Sequence, residues 1–315
     1  MNRARGVALI IALVIVALAT IFATRIGAEG ALDQRRAATL LAQEQALQIA
    51  FGAEDWIIET LHEDAQRATA QQVTLNQAWA LPMPPLPIDD GEVAGRVEDL
   101  AGRFNVNNLM TPQGTRNAFA YAWFVRLLTR LELEPKWAAL LLDWIDPDNV
   151  ATGADGAEDG VYLGMTPPYR PPNRPITTTS ELLSLPGFGL ARYRKLQPYI
   201  AALPVGTALN VCTAPGLVLD ALAPALQAFA QDPKLLLSYR LNGCFPTLRD
   251  VTTALQPILP AEEKAAATAL LAETSTWFRL TTSVRIGTTE MTLYSLLQRN
   301  PAGQSRVVLR SLGTE

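Results

Sequence analysis

The sequence predicts an α+β protein in which a long N-terminal helix packs on a small antiparallel sheet interrupted by a helical domain. Residues 7–24 form an unbroken apolar run. Short alternating segments typical of strands occur at 92–105 and again after residue 276, and about 160 residues between them have mainly helical patterns. Strands on both sides of a helical stretch favour one sheet with an inserted domain.

The first 24 residues have the pattern of a membrane anchor. Arg3 and Arg5 precede the apolar run, and Gly6 separates them from it. Eighteen helical residues span roughly 27 Å, about one hydrocarbon core. The arginines are expected to place the N-terminus on the cytoplasmic side of the membrane. In a Gram-negative cell this membrane is the inner membrane, and the bulk of the chain is then expected in the periplasm. An ordinary uncleaved anchor would have the same hydropathy.

The membrane helix is expected to continue as a stem from Ile26 to about Gln77, because this stretch is rich in Ala, Leu, Gln and Glu and has no proline. One apolar face is predicted to rest on the sheet, and it consists of Leu40, Leu47, Phe51, Ile58 and Leu61. The opposite side is predicted to be a solvated surface or, as an alternative, an acidic strip that docks a partner; it carries Glu54, Asp55, Glu59, Glu63 and Asp64.

The proline-rich residues 82–87 cannot continue a helix and predict an extended linker. The first strands are expected within 92–105. Segments 276–286, 290–297 and 306–311 alternate β-branched and polar residues between turn signals at Gly287 and residues 300–303, and they predict the last strands.

Five carboxylates lie within residues 146–159, separated by glycines. They are Asp146, Asp148, Asp155, Glu158 and Asp159. Such a loop can fold oxygen ligands around a hard cation, for which calcium is the natural candidate, although Val150 occupies the third ligand position of an EF-hand. The alternative is a polar loop whose aspartates cap helices and form turns.

Cys212 and Cys244 are the two cysteines of the chain. An oxidising compartment favours a disulfide between them, and the alternative is a pair of buried free thiols. The spacing excludes a zinc site of the Cys-x-x-Cys kind.

Residues 185–192 read LPGFGLAR and are similar to the hairpin of a helix-hairpin-helix motif, in which backbone N–H groups bind a phosphate. This pattern supports an alternative function, a membrane-anchored DNA-binding protein of an uptake or pilus system. A formal net charge of −4 instead favours a tight turn between packed helices and no nucleic-acid partner. An enzyme is not expected, because the one histidine, His62, lies on the stem and no nucleophile elbow or Walker loop is present.

The leader resembles a prepilin signal, in which a basic segment ends in glycine directly before an apolar helix. The resemblance implies cleavage by a prepilin peptidase between Gly6 and Val7 and N-methylation of Val7. Most pilins and pseudopilins carry a glutamate at the fifth mature position, which here is Ile11. The K-type minor pseudopilin of type II secretion systems characteristically lacks that glutamate.

Further segments resemble the same K-type family in the same order. They read VEDLAGRFNVNNL at 97–109, LDWIDPD at 142–148, DGAEDG at 155–160, PYR at 168–170 and LNVCTAP at 209–215. The resemblance implies a non-catalytic subunit that caps the tip of the pseudopilus, initiates its assembly and supports export of folded proteins through the outer membrane. It also favours calcium in the carboxylate loop.

The expected partners are the I-type and J-type minor pseudopilins, the major pseudopilin and the prepilin peptidase, with the secretin and secreted proteins as further candidates. The domain boundaries follow from the same patterns. They are a leader at 1–6, a membrane helix at 7–24, a stem with the first strands at 25–105, an inserted helical domain at 106–273 and the last strands at 274–315.

Overall fold

A computed structural model of the chain describes residues 3–67, 72–81, 84–223, 229–245, 259 and 263–313. The helices of these residues are α1 (Arg3–Gln66), α2 (Ala118–Arg130), α3 (Lys136–Ile145), α4 (Asp159–Tyr162), α5 (Gly189–Leu196), α6 (Gly216–Asp220), α7 (Pro233–Tyr239) and α8 (Lys264–Ala269). The strands are β1 (Leu86–Ile88), β2 (Gly91–Asp99), β3 (Phe104–Asn105), β4 (Ile200–Ala201), β5 (Leu209–Asn210), β6 (Leu271–Ala272), β7 (Trp277–Ile286), β8 (Thr289–Arg299) and β9 (Ser305–Leu312).

The apolar run and the stem form one continuous helix, α1. It ends at Gln66, eleven residues before the predicted end at Gln77. The chain beyond it packs into the core instead: the Val73 amide donates to the Glu273 carbonyl at 2.8 Å, and the Trp79 ring meets the Phe278 ring edge-on at 5.3 Å. Burial of two large side chains therefore outweighs the helix propensity of the segment.

The face of the stem that rests on the sheet overlaps the predicted apolar face but is centred about one residue earlier. Leu61 is fully buried, and Leu47, Phe51 and Ile58 are half-buried. Leu40 is 62% exposed because it lies below the sheet. The residues buried in the contact are Ala46, Ala50, Ile57 and Leu61. Alanines at the centre of the contact let the helix approach the strands closely.

The prediction that the acidic side of the stem is solvated is wrong for two residues. Glu54 and Asp64 are buried, whereas Asp55, Glu59 and Glu63 are exposed. Glu54 pairs with a strand residue, Arg310, and Asp64 accepts a hydrogen bond from the Trp79 amide at 3.3 Å. A buried carboxylate is tolerated here because polar partners reach it from distant parts of the chain.

The main sheet has five antiparallel strands in the order β1-β2-β7-β8-β9. The pairing of β2 with β7 runs from Gly91 opposite Ile286 to Asp99 opposite Phe278. A side chain at Gly91 would collide with the Arg285 carbonyl, so only glycine fits at this position of β2. Strands that precede the inserted domain and strands that follow it therefore form one sheet, as predicted.

Two details of this sheet differ from expectation. Part of the predicted linker is strand β1, in which Leu86 and Pro87 pair with Val93 and Glu92. An edge position accommodates the proline, because its missing N–H faces away from the ladder. Pro82 and Met83, also in the predicted linker, lie outside the described residues. The last three strands follow the predicted segments, with ends displaced by up to two residues.

The inserted domain leaves the sheet after Asp99 and returns to it at Trp277. Its boundary is earlier than the predicted residue 105, because Phe104 pairs with Ile200 and is buried in the core of the inserted domain. This domain contains short helices, together with the two-residue parallel pairs β3–β4 and β5–β6. Its core is rich in aromatic side chains from α2 and α3.

Asp99 joins the inserted domain to the sheet. Its Oδ2 accepts hydrogen bonds from the Thr213 hydroxyl at 2.6 Å, the Ser275 hydroxyl at 2.6 Å and the Asn210 amide at 2.9 Å, and its Oδ1 accepts from the Ala101 amide at 2.9 Å. Burial raises the pKa of Asp99, against the effect of these donors. Four donors from three segments fix how the two parts of the fold meet.

Candidate functional site

The carboxylate loop begins where α3 ends. The Asp146 amide still donates to the Leu142 carbonyl at 2.9 Å, but the Asp146 backbone is already extended. Pro147 follows and cannot extend the helix. The end of a buried helix therefore places the first predicted ligand, Asp146, in a buried position and the second, Asp148, at the surface of the domain.

Asp143 shapes the loop from inside the domain. Its Oδ2 accepts from the Ala157 amide at 2.7 Å and its Oδ1 from the Thr152 amide at 3.0 Å. A side chain at Gly156 would collide with the Asp143 carboxylate and the Thr152 amide, so only glycine fits there. Asp143 is not among the residues predicted from the sequence. The signal that could identify it is its position as the one acidic residue within the apolar helix α3, which is typical of a buried carboxylate with a structural role.

Three of the five predicted ligands converge. One carboxylate oxygen from each of Asp146, Asp148 and Glu158 lies within 4.8 Å of the other two. Asp146 Oδ1 and both carboxylate oxygens of Glu158 are buried and have no hydrogen-bond partner among the described residues. Buried carboxylate oxygens without donors are the ligands that a hard cation requires, so this group fits calcium.

Without a cation, ionising these three clustered carboxylates in the folded protein costs free energy. Burial, together with the charges of Asp148 and Asp143, raises the pKa of Asp146 to about 7. Burial and the charges of Asp143 and Asp146 raise the pKa of Glu158 to about 7. The aromatic rings of Trp144 and Tyr162, whose centroids are 5.2 Å apart, lie in the adjacent core. A bound divalent cation would remove the mutual repulsion of the carboxylates.

The structure does not bring the other two predicted ligands into this group. Asp155 is exposed at the end of a single 3₁₀ turn, Gly153–Asp155. Asp159 is the first residue of α4, and its Oδ2 lies 3.6 Å from Arg170 Nη1. The candidate site therefore consists of Asp146, Asp148 and Glu158.

The glycine-rich hairpin has the turn that its sequence predicts. Gly187 and Gly189 adopt φ of +75° and +73°, a conformation that favours glycine. Two of its three cations contact the protein's own acceptors, and the third, Arg194, is exposed. Arg192 Nη1 donates to the carbonyls of Gly187 and Phe188, and Lys195 Nζ lies 2.9 Å from Glu132 Oε2. These contacts favour a turn between packed helices over a phosphate-binding site.

The two cysteines form a disulfide in the structure. Cys212 and Cys244 have Cα atoms 4.4 Å apart, and both side chains are buried. The bond attaches the Leu241–Gly243 turn to the segment that follows β5. Nearby, Arg240 Nη2 donates to the Val211 and Ala214 carbonyls, and burial lowers the pKa of Arg240 to about 10.

The predicted cleavage position lies near the start of α1, between Gly6 and Val7. Among the described residues, α1 is the one helix that is long and apolar enough to cross a membrane. Ile11, at the position where a pilin would have glutamate, is 54% exposed along this apolar segment. The helix fits a single-pass membrane anchor.

An apolar helix that continues as a stem against an antiparallel sheet, with a helical domain between the strands, is the architecture of a pilin-like subunit. Residues 102–205 match the family model described as "Type II secretion system (T2SS), protein K". A protein of that family that is 33% identical to this chain over 98% of its length shows that the chain belongs to the type II secretion system protein K family.

Similar proteins span nearly the whole chain. The "Type II secretion system protein K" of Pseudomonas aeruginosa is 33% identical over 320 residues, covering 98% of this chain and 92% of that protein. The protein of the same name from Pectobacterium carotovorum subsp. carotovorum is 31% identical, with 99% and 97% covered. The fold is similar to a chain of "the GspK-GspI-GspJ complex from enterotoxigenic Escherichia coli", with a TM-score of 0.77 and 24% identity over 89% of this chain and 100% of that chain.

Proposed function

We propose that this protein is a minor pseudopilin that caps the tip of the type II secretion pseudopilus, together with I-type and J-type minor pseudopilins. The structurally similar chain comes from a complex of GspK, GspI and GspJ, which supports these partners. Membership of the protein K family supports the secretion system. The major pseudopilin and the prepilin peptidase are further proposed partners, and contacts to the secretin or to secreted proteins would follow from a position at the tip.

The position of the inserted domain is the observation that carries the tip proposal. Near the membrane end of the sheet, Val284 of β7 packs with Ala46 and Ala50 of the stem, whereas at its other end Phe278 packs with Leu61. The inserted domain leaves the sheet beside Phe278, which is the end farthest from the membrane. Bulk at this end would obstruct the addition of another subunit above.

Ile11 supports the same proposal through the anchor. A carboxylate in a helix bundle is stable only when it is paired, and in pilin-like filaments the fifth-position glutamate is thought to pair with the N-terminus of a neighbouring subunit. An isoleucine makes no such pair, so a subunit with Ile11 lacks this link to the next one. A terminal position in the filament does not require it.

The proposed processing and location follow from the leader. The prepilin peptidase would cut after Gly6, leaving an N-methylated Val7 at the start of the mature chain. The apolar helix would hold the subunit in the inner membrane before assembly, with the stem, sheet and inserted domain in the periplasm. The protein would have no catalytic activity, and its role in export would be to start assembly of the filament.

Asp146, Asp148 and Glu158 are proposed to hold a structural calcium ion. It would fix the loop after α3 to α4 and would have no chemical role in secretion. The buried, unpartnered oxygens of Asp146 and Glu158 support this proposal.

The tip position is tested by labelling pseudopili with an antibody to the inserted domain, with an antibody to the major pseudopilin as the control. We expect the first label at filament ends and the second along the shaft. Label from the inserted domain distributed along the shaft would contradict the tip proposal.

A further inference from the structure

The two edges of the main sheet differ in how they can pair with a further strand. At one edge, β1 has three residues, and Pro87 removes a donor from its outer side. At the other edge, β9 has eight residues, SRVVLRSL, with no proline or glycine among them. Among the described residues, no strand pairs with the outer side of β9. This edge is therefore the one that can accept another strand.

The hydrogen bonds of β9 show which of its backbone groups point outward. The Gly313 amide donates to the Thr292 carbonyl at 2.9 Å. Bonded and non-bonded pairs alternate in an antiparallel ladder, so the N–H and C=O groups of Leu312 and Arg310 point away from β8. A bulge at Val308 interrupts the ladder, and pairing is regular on its C-terminal side. Two donors and two acceptors are thus available along this regular part.

The side chains of β9 are unusually apolar for an unpaired edge. Val308 is 48% exposed, Leu309 54% and Leu312 56%. A long edge with exposed apolar residues promotes aggregation, and native proteins normally shorten such an edge or cover it. In this sheet β1 is shortened and β9 is not. The difference indicates that a partner covers β9.

Each face of the sheet has a cavity beside β9. On the face away from the stem, a cavity of about 320 Å³ is lined by Tyr294, Leu296 and Leu309. On the stem side, a cavity of about 860 Å³ lies between His62 and the start of β9 at Ser305. Successive side chains of a strand point to opposite faces, so an added strand would direct side chains towards both cavities. Backbone pairing at an edge, with pockets for alternate side chains, is a known mode of peptide recognition.

The charges of β9 indicate the chemistry of the partner. The strand carries Arg306 and Arg310 and no acidic residue. Arg306 is exposed and donates to the neutral Gln298 Oε1 at 2.8 Å, and Arg310 is 48% exposed despite its contact with Glu54. A second copy of β9 would bring arginines close to arginines, which is unfavourable across a strand pair. Charge complementarity therefore favours an acidic segment of another protein.

We propose that the outer edge of β9, Ser305–Leu312, binds an extended, acidic segment of another protein, which adds one strand to the sheet. Its backbone pairs with the outward groups of Arg310 and Leu312. Its acidic side chains lie beside the two arginines of β9, and its apolar side chains cover Leu309 and Leu312. This binding site does not depend on a position at the tip of a filament.

The probe is a phage library of random peptides of about ten residues, long enough for one strand, selected on the full chain in detergent. We expect enriched sequences that alternate β-branched residues with Asp or Glu. Leu312→Pro removes an outward N–H that β8 does not use, and Leu312→Val keeps it. Synthetic copies of the enriched peptides should bind the Leu312→Pro variant at least about tenfold more weakly, because a carbonyl loses its donor, and Leu312→Val within about threefold of the wild type.

Enriched peptides that bind Leu312→Pro as tightly as the wild type would overturn the proposal. So would enrichment of basic sequences, or a library from which nothing is enriched. A dimer of the wild type in detergent that Leu312→Pro dissociates would also overturn it, because a second copy would then occupy the edge.

Hydrogen exchange of the wild type tests the same contact without a substitution, so the result does not depend on the folding of Leu312→Pro. The bound peptide should slow exchange of the Arg310 and Leu312 amides, which make no bond to β8. Amides of β1, at the opposite edge, are the control and should not change. Unchanged exchange at Arg310 and Leu312 would show that the peptide binds elsewhere and would overturn the proposal.

Discussion

Arg310 on the last strand reaches back to Glu54 on the stem, with its Nη2 2.6 Å from Glu54 Oε1 and its Nε 3.0 Å from Glu54 Oε2. The Ser295 hydroxyl donates to Glu54 Oε2 at 2.6 Å, and the Arg310 guanidinium lies 5.0 Å from the centre of the Phe51 ring. The stem is therefore held to the sheet by a polar contact as well as by an apolar face.

We predict that Arg310→Ala lowers the free energy of unfolding by about 2–3 kcal/mol. The loss is smaller than for a fully buried ion pair, because the Arg310 side chain is half exposed and water screens its charge. The substitution leaves the buried Glu54 carboxylate with the Ser295 hydroxyl as its main donor. Urea unfolding of the full chain in detergent measures this. Arg306→Ala, on the same strand, is the control and should cost under about 0.5 kcal/mol. Equal effects of the two variants would contradict a structural role for the pair.

Calcium should raise the melting temperature of the full chain, and a chelator should lower it, because the folded protein alone assembles the three ligands. Glu158→Gln should reduce the calcium-dependent rise by at least half. Asp155→Asn, a change of the same kind at an exposed position outside the group, should leave it intact. Thermal unfolding with calcium and with EDTA distinguishes these outcomes. The same calcium response in both variants would show that the cation binds elsewhere.

In EDTA, the pH dependence of stability should show the raised pKa values of Asp146 and Glu158. Ionising these groups is harder in the fold than in the unfolded chain, so their contribution to stability is full below about pH 4 and is lost as the pH rises through about 7. The melting temperature of the wild type relative to Asp146→Asn/Glu158→Gln should therefore fall between about pH 4 and 7 and level off above that. A flat difference would contradict the raised pKa values. Calcium should reverse the trend, because it binds the ionised carboxylates.

The disulfide should contribute about 3–4 kcal/mol, as the chain-entropy relation gives for residues 32 positions apart. Replacing both cysteines by serine should lower the urea midpoint accordingly. Intact mass of the native protein should increase by two hydrogens on reduction. A mass that reduction does not change would mean that Cys212 and Cys244 are free thiols.

Processing at the leader is tested by Gly6→Leu. The peptidase is expected to require glycine before the cut, so this variant should keep the first six residues and lack an N-methylated Val7. Intact mass of the protein from native membranes measures both. Gly30→Leu, at an exposed stem glycine, should be processed normally. Cleavage and methylation of the Gly6→Leu variant would show that the glycine is not the recognition feature of this leader.

Elements whose limits depend on nearby residues in the sequence could be predicted. The apolar run and the strands β7, β8 and β9 follow from periodicity and turn residues, and the structure places them within two residues of the predicted ends. The end of α1 could not be predicted in this way. It depends on Val73 and Trp79, which are buried against strands some 200 residues later in the sequence.

Long-range pairing also explains the wrong prediction at the acidic positions. Helical spacing puts Glu54 beside exposed Asp55. The partners that make its burial favourable, Ser295 and Arg310, are 241 and 256 positions away in the sequence. In the carboxylate loop, composition identifies the segment but not the ligands. Which of the five carboxylates point into the domain depends on the path of the loop backbone. Asp143 sets that path by accepting a hydrogen bond from the Ala157 amide, and Gly156 permits it because a side chain there would collide with Asp143.

The length of the lower stem, residues 25–41, sets the distance between the apolar run and the sheet. Every residue from 25 to 41 is exposed, and the first buried contact with the sheet is at Ala46. Twenty-one helical steps from Arg25 to Ala46 amount to about 32 Å, close to the diameter of a small domain. With the apolar run in a bilayer, the number of stem residues sets the height of the folded part above it. The exposed stretch of helix leaves a gap beside the stem that is wide enough for part of another protein.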